Sequence, residues 1–260
     1  MNKLIVSFSV ERKKFFRSKI PFITACALLL VPFIGGLFMF ILKDPVFAQK
    51  VGIISAKAQI AGTADWPSYF GLLAQAISIG GLLVFGFITS WMFGREYSDR
   101  TIKDLLALPI SRNTIVLSKF LVIVLWCFLL SIIVFIIGLI VGAWVDIPGY
   151  SKETLIHGLT TYFVCSILTI LLSAPVSLFA SIGRGYLSPL GFVLFTMVLA
   201  QIIAATGYGQ YFPWAVPALL NGVAGNENIE LINIAVFIVL FTSFIGFLGT
   251  LCWWKYADHH

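Results

Sequence analysis

The sequence predicts an all-α integral membrane protein with about six transmembrane helices, and three observations support this fold class. Apolar residues make up 60% of the 260-residue chain and charged residues only 11%, whereas a soluble domain is about 25% charged. The mean hydropathy is +1.01. Long apolar runs reach the roughly 20 residues that a helix needs to cross the hydrocarbon of a bilayer. None of them alternates in polarity as the strands of a membrane barrel do.

Six apolar runs define the predicted spans, and the fifth is marginal because it needs a slight extension to cross the hydrocarbon. The first run is longer than the apolar region of a signal peptide, so we interpret it as an uncleaved span. We therefore predict a single transmembrane domain over residues 1–260, which begins with an interfacial segment at residues 1–19. The runs cover residues 20–42, 69–93, 114–145, 158–182, 189–206 and 231–254.

The first 19 residues predict an amphipathic helix that lies along the membrane surface. On a helical wheel Leu4, Phe8 and Phe15 cluster, while most of the lysines and arginines point the other way. The fit is imperfect, because Glu11 falls on the apolar arc. The alternative is a basic flank that only fixes the topology of the first span.

The distribution of basic residues predicts that both termini are cytoplasmic. Lysines and arginines concentrate in residues 1–19 and 95–119, and short loops rich in these residues stay on the cytoplasmic side. We therefore read the basic pI of about 9.2 as a topology signal and not as nucleic-acid binding. The opposite side would carry only Lys43, Lys50, Lys57 and Lys152.

The segment between the second and third spans contains a second predicted amphipathic helix. Ser98 or Asp99 is suited to cap that helix, and Pro109 to end it. Such a helix, held between two spans, suits the docking of a cytoplasmic partner, or it lies flat on the lipid headgroups. Ser111 would cap the next helix, which at about 1.5 Å per residue is longer than the bilayer is thick and places Lys119 near the interface.

Several functional classes lack the residues that they require. The chain has no Gly-rich phosphate loop ending in Gly-Lys, so any ATP must be hydrolysed by another chain. The interiors of the predicted spans contain no Asp, Glu, Lys, Arg or His, which argues against proton-coupled carriers and intramembrane proteases. The cysteines lie in apolar runs without metal-binding spacing. Gln75 and Gln201 are the costliest polar residues within the spans, and they face either a neighbouring helix or a transport route.

The loop after the second span resembles the signature of type-2 ABC exporter permeases. In that family an acidic residue ends the second span, and a Thr, a Leu pair, a Pro, a Ser-Arg pair and a Lys follow. Many members carry Gly before the Thr, where this chain has Arg100. Residues 212–217 also look like the family's short outer re-entrant helices. The matching residues are Glu96, Thr101, Leu105, Leu106, Pro109, Ser111, Arg112 and Lys119.

This resemblance implies a permease subunit in the bacterial cell membrane, closest to the bacitracin and lantibiotic export subgroup. It implies an ATP-binding subunit that holds ATP and Mg²⁺, and a second copy of this chain or a similar permease. The substrate would be lipophilic or amphipathic, such as a peptide antibiotic. Closure of the ATPase would push on residues 101–108, with Leu105 and Leu106 in its groove. The residues implied in this coupling are Glu96, Thr101, Leu105, Leu106, Pro109 and Arg112.

Two other functions remain open at this point. One is an ATP-independent carrier or channel, which would transport without a co-purified ATPase. The other is a non-transporting sensor or immunity subunit that binds a peptide antibiotic. A substrate gradient measured in proteoliposomes would distinguish a transporter from such a sensor.

Overall fold

The computed structural model describes residues 3–43, 63–107, 109–221 and 229–256. In that part of the chain six helices are long and apolar enough to cross a membrane: Ile20–Lys43 (span 1), Trp66–Ser98 (span 2), Arg112–Trp144 (span 3), Lys152–Ile182 (span 4), Leu187–Ala205 (span 5) and Asn233–Tyr256 (span 6). Span 6 lies within the longer helix Ile229–Tyr256. The remaining helices are Lys3–Arg17, Ile102–Leu106, Gly209–Tyr211 and Val216–Leu219. Lys50 and Lys57 lie outside the described residues.

The six predicted spans are confirmed, but several extend beyond their apolar runs. Span 2 begins at Trp66 because the Asp65 carboxylate accepts a hydrogen bond from the backbone of Ser68 at 2.9 Å. Span 3 begins at Arg112, where the predicted cap forms: the Thr114 amide donates to the Ser111 hydroxyl at 3.2 Å. Caps of this kind satisfy the free N–H groups at a helix start, so a helix can begin among polar residues.

Span 4 is interrupted at Leu172, between the helices Lys152–Leu171 and Ser173–Ile182. Pro175 has no backbone N–H to donate, which accounts for the break. Span 6 packs closely at this point, since a Cβ atom on Gly246 would lie 2.4 Å from the Pro175 nitrogen. The glycine thus permits contact between the two backbones.

A pair of small residues on span 3 lets span 2 approach. Gly138 faces Leu73, and Gly142 faces Trp66 and Tyr69. A Cβ atom on Gly142 would lie 2.5 Å from the Trp66 ring. The Gly-x-x-x-Gly pair is therefore a packing face between spans 2 and 3.

The N-terminal helix, Lys3–Arg17, packs on the bundle with part of its predicted apolar arc, since Phe15 is buried and Phe8 packs on the core. Its buried residues are Ser7, Glu11 and Phe15, which recur every four residues and form one stripe. The Phe15 ring makes edge contacts with Trp91 of span 2 and Trp126 of span 3, at centroid distances of 5.9 and 5.7 Å. Glu11, the charged residue on the apolar arc, therefore lies at the centre of the contact face.

Both ends of the described chain lie at one end of the bundle, which we call the basic end. There the Lys3 ammonium donates to the carbonyl of Pro109 at 3.4 Å. At the opposite end, the Lys43 ammonium donates to the carbonyl of Val145 at 3.0 Å and joins span 1 to span 3. The basic end comprises the N-terminal helix, residues 99–107 and 109–111, residues 183–186 and the end of span 6.

Residues 209–221, which follow span 5, pack into the opposite end of the bundle. Val216 and Pro217 of its short helix, Val216–Leu219, are buried. The Cys165 thiol of span 4 donates to the carbonyl of Pro217 at 3.1 Å. This contact attaches the predicted re-entrant segment to the helices that surround it.

Candidate functional site

Four charged side chains from three helices meet at the basic end and form what we call the ion cluster: Glu11, Lys14, Glu96 and Lys119. The Lys119 ammonium lies 2.9 Å from a carboxylate oxygen of Glu11 and 2.9 Å from one of Glu96. Lys14 lies 3.2 Å from the same oxygen of Glu96. The cluster therefore joins the N-terminal helix, the end of span 2 and the start of span 3.

Three of the four members of the cluster are buried, and its charges balance. Lys119, Glu11 and Glu96 expose only 1%, 3% and 4% of their surfaces. The third donor of the Lys119 ammonium is directed to the carbonyl of Met92 at 3.1 Å, so all its N–H groups have acceptors. Removing charges from water costs several kcal/mol per ion, which mutual attraction offsets only when each charge keeps its partner. Each member of the cluster thus depends on the others.

The surroundings of Lys119 add to what the sequence predicts. From the sequence we expect Lys119 near the membrane interface and no Asp, Glu, Lys, Arg or His in the span interiors. The Lys119 side chain lies inside the protein, and Glu96 belongs to the helix of span 2. The two carboxylates, and not the lipid headgroups, are its partners.

Thr101 connects the loop after span 2 to the ion cluster. Its hydroxyl donates to the second carboxylate oxygen of Glu96 at 2.7 Å, and its amide donates to the Glu96 carbonyl at 2.9 Å. The amide of Arg100 donates to the carbonyl of Tyr97 at 3.1 Å. These two backbone bonds form a Schellman motif, which ends a helix sharply. Ser98 and Asp99 therefore end span 2, and neither caps the next helix as expected.

Arg100 occupies the left-handed position of this motif, with φ of 56°. This is the position where many type-2 permeases carry Gly. The left-handed conformation costs a residue with a Cβ atom about 1–2 kcal/mol. This cost is larger than the free energy by which a glycine stabilises the unfolded chain through its conformational entropy. The side chain of Arg100 is exposed, so its removal leaves no buried gap.

We expect Arg100→Gly to stabilise the protein by roughly 0.5–1 kcal/mol, seen as a rise in the thermal unfolding midpoint of the purified chain. Ser98→Gly is the matched control, because Ser98 is helical and glycine costs about 1 kcal/mol there. If both changes lower the midpoint equally, the left-handed conformation carries no strain.

The helix Ile102–Leu106 is held against the bundle by its apolar residues. Ile102 is buried, and Leu105 is half-buried and packs on the hydrophobic core. Asp104, Ala107 and Pro109 are exposed. Leu105 thus contacts this chain's own core, and the exposed side of the segment consists of Asp104, Ala107 and Pro109. The backbone of Leu106 ends the helix, and its side chain lies outside the described part of the structure.

Arg112, also implied in coupling, makes a different contact. Its guanidinium donates to the carbonyls of Trp254 and Lys255, at 3.1 and 3.3 Å. Carbonyls at a helix end lack partners within the helix, and cations are favoured beside them. Arg112 therefore fastens the end of span 6 to the start of span 3, outside the ion cluster.

Gln75 of span 2 and Gln201 of span 5 line the same cavity, of about 80 Å³. Trp214 also lines it, and its indole N–H is buried without a hydrogen-bond acceptor in the described part of the chain. Most of the other lining residues are apolar, among them Leu82 and Met197. The structure thus brings together the two glutamines that the sequence singled out.

Sequence reasoning missed two members of the ion cluster, Glu11 and Lys14. One signal was available: a glutamate on an otherwise apolar helical arc requires a buried cation as its partner. Lys119 is the only lysine within the six apolar runs, so the pairing could have been anticipated. The sequence contained no signal for Lys14, which resembles the other basic residues of the helix.

Known proteins are similar in sequence over the N-terminal helix and most of the spans. The family model described as ABC-2 family transporter protein matches residues 7–200, from the N-terminal helix into span 5. The bacitracin transport permease protein BCRB of Bacillus licheniformis is 27% identical over 184 residues, which cover 69% of this chain and 86% of that protein. No solved structure matches the chain. The family match extends over more than half of the sequence, and the chain therefore belongs to the ABC-2 family of transporter proteins.

Proposed function

We propose that this chain is the permease of an ABC exporter that moves an amphipathic peptide outward with ATP hydrolysed by a separate subunit. Family membership makes the chain a membrane transport permease that works with an ATP-binding subunit. The observation that carries the proposal is the attachment of residues 99–107 to the ion cluster through Thr101. A push on this segment reaches the N-terminal helix and spans 2 and 3 through buried charges, without an intervening flexible loop.

The proposed docking surface for the ATPase is the exposed side of the segment, at Asp104, Ala107 and Pro109. Ile102 and Leu105 anchor the segment from the inside, so a force on the exposed side acts on the core. ATP and Mg²⁺ would be bound by the partner. Glu96 and Thr101 would transmit movement and would not contact the partner themselves.

The proposed location is the bacterial cytoplasmic membrane, with the basic end on the cytoplasmic side. Lysines and arginines of the N-terminal helix and of residues 95–119 lie at this end, as the positive-inside rule requires. A cysteine at position 152 should react with an impermeant reagent added outside intact cells, whereas cysteines at 14 and 184 should not. Reaction at position 14 from outside would reverse the proposed orientation.

The proposed substrate route passes the cavity lined by Gln75, Gln201 and Trp214. Polar groups in the hydrocarbon cost free energy when they have no partner, and the several amide groups of a peptide can donate to and accept from the glutamines and accept from the indole. A neutral, largely apolar lining favours an amphipathic ligand over an ion. BCRB is named for bacitracin transport, which supports the peptide antibiotic class.

A second cavity, of about 510 Å³, extends this route toward the opposite end. Gly71 lines it together with Asn221 and His157, and Gly71 lies one helical turn from Gln75 on span 2. The two cavities are therefore neighbours along one face of that helix. The order of the two cavities along span 2 supports movement of the substrate away from the basic end.

A second copy of this chain, or a similar permease, is the proposed neighbour across span 5. Gln201 is exposed at the surface of the single chain, beside the exposed apolar residues Phe195, Val198 and Ile202. A second permease packed there would enclose the cavity. The mass of the detergent-solubilised complex tests this, because a complex with one permease copy would contradict it.

We expect Gln75→Leu and Gln201→Leu to reduce the tolerance of cells to a transported peptide antibiotic several-fold. Each change removes a hydrogen bond of about 1 kcal/mol. This free energy corresponds to a factor of about five in the equilibrium constant for peptide binding. Gln210→Leu is the matched control, since Gln210 does not line the cavity. Inhibitory peptide concentrations for cells with equal permease abundance provide the measurement. Unchanged tolerance in both cavity variants would remove this cavity from the route.

A further inference from the structure

A third cavity, of about 420 Å³, lies at the basic end and is independent of the proposed transport route. It lies between the end of the N-terminal helix, the end of span 2 and the turn before span 5. We call it the basic pocket. Its lining residues are Lys14, Arg17, Ser18, Trp91, Arg95, Asp99 and Tyr186.

The charges of the basic pocket do not balance. Lys14 belongs to the ion cluster, which is neutral as a whole. Arg95 pairs with Asp99 at 3.0 Å and lies over the ring of Trp91, 5.0 Å from its centroid. Arg17 is exposed and has no ion pair or hydrogen bond among the described residues. The pocket therefore has one uncompensated positive charge, which suits a ligand that carries a single negative charge.

The surroundings of Arg17 place the pocket at the level of the lipid headgroups. Phe16 and Phe22, on either side of Arg17 in the chain, are 53% and 73% exposed, as expected for side chains in contact with acyl chains. Trp91 and Tyr186 line the pocket itself, and these residue types are enriched where hydrocarbon meets water. Basic pockets between spans on the cytoplasmic side of membranes bind anionic headgroups.

We propose that the basic pocket binds the phosphate of an anionic phospholipid, with the acyl chains along the exposed face of span 1. The Arg17 guanidinium donates to the phosphate oxygens, since its planar fork matches their geometry. Lys14 and Arg95 add attraction while they keep their own carboxylate partners. The phosphodiester of phosphatidylglycerol carries one negative charge and so matches the charge of the pocket. The alternative is that the pocket binds free inorganic phosphate, which presents the same oxygen atoms to Arg17.

The bound lipid would fasten the N-terminal helix to span 2 beside the ion cluster. Arg17 ends that helix, whereas Trp91 and Arg95 lie on span 2. A phosphate held between them adds an attachment for the part of the chain that carries Glu11. Stability of the purified chain should therefore depend on anionic lipid.

The test measures the amount of phosphatidylglycerol that the full chain retains when vesicles of phosphatidylcholine and phosphatidylglycerol are replaced by detergent. Mass spectrometry of the intact protein–lipid complex counts the bound lipids. We expect selective retention of phosphatidylglycerol by the natural chain, and a reduction of at least about tenfold in Arg17→Gln, because a charge-assisted hydrogen bond is lost. Lys13→Gln is the matched control: Lys13 is an exposed cation on the same helix that does not line the pocket.

Equal losses in the Arg17 and Lys13 variants would overturn the proposal, because general attraction to a basic surface would then explain retention. A natural chain that retains both lipids equally would also overturn it. In a second measurement, inorganic phosphate is added at constant ionic strength. We expect it neither to displace phosphatidylglycerol nor to raise the unfolding midpoint of the lipid-free chain. If it does both, the pocket binds free phosphate and the lipid assignment is wrong.

Discussion

Replacing Lys119 with Met is expected to destabilise the protein by about 3–5 kcal/mol, the cost of leaving buried carboxylates without their cation. Glu11 and Glu96 each lie 2.9 Å from the Lys119 ammonium. Lys14 would remain, but it is partly exposed and lies 3.5 Å from Glu11. The measurement is the thermal unfolding midpoint of the purified chain, together with its abundance in the membrane.

The control for this change is Lys13→Met, which removes an exposed cation from the N-terminal helix and should have little effect. A triple variant with Lys119→Met, Glu11→Gln and Glu96→Gln should recover part of the lost stability, because the unpaired charges are gone. If that variant is stable but does not transport, the ion cluster has a role in coupling beyond stability. A Lys119→Met chain as stable as the Lys13→Met chain would contradict the pairing of the buried charges.

The second large effect is expected at the exposed side of residues 104–107. Changing Asp104 and Ala107 together to Arg places charge and bulk on the proposed docking surface, while both positions are exposed in the single chain. Insertion and folding should therefore be normal. Recovery of the ATP-binding subunit in pull-downs should fall by about tenfold or more, as when a well-packed contact residue at an interface is lost. Transport should be lost with it.

The contrast between the two sides of the helix Ile102–Leu106 makes this test specific. Leu105→Asp places a charge against the chain's own core, so it should lower membrane abundance as well as ATPase recovery. Lys13→Glu, on the exposed side of the N-terminal helix, should change neither. If the Asp104 and Ala107 variant binds the ATPase and transports normally, the segment is not the docking surface.

The spans could be predicted from sequence because the physics that fixes them is local. A run of about 20 apolar residues has a strong preference for hydrocarbon, whatever its neighbours are. The ends of the spans could not be predicted as well, because helix caps and tertiary contacts determine where each helix begins and ends. Glu96 remains in the helix of span 2 since Lys119 neutralises it, and the two residues are 23 positions apart.

The ion cluster shows where local reasoning about the sequence stops. Glu11 reads as a defect in an amphipathic helix until Lys119, 108 positions away, is placed beside it. The turn at Arg100 shows a second limit, since an arginine does not by itself suggest a left-handed residue and only the Gly of many type-2 permeases at this position does. The resemblance to the family indicated the importance of Glu96, Thr101 and Lys119, but only the structure gives their contacts. The shared cavity of Gln75 and Gln201 likewise required the packing of span 2 against span 5.

The most direct test of the central claim is transport in inside-out proteoliposomes that contain the purified chain with or without its ATP-binding subunit. A fluorescent amphipathic peptide and ATP with Mg²⁺ are added outside, and the peptide retained in the lumen is measured. We predict accumulation only when both subunits and ATP are present, and none with the Asp104 and Ala107 variant. Accumulation by the chain alone would identify an ATP-independent carrier. Peptide binding without accumulation, while the complete complex hydrolyses ATP, would contradict the assignment of this chain as an export permease.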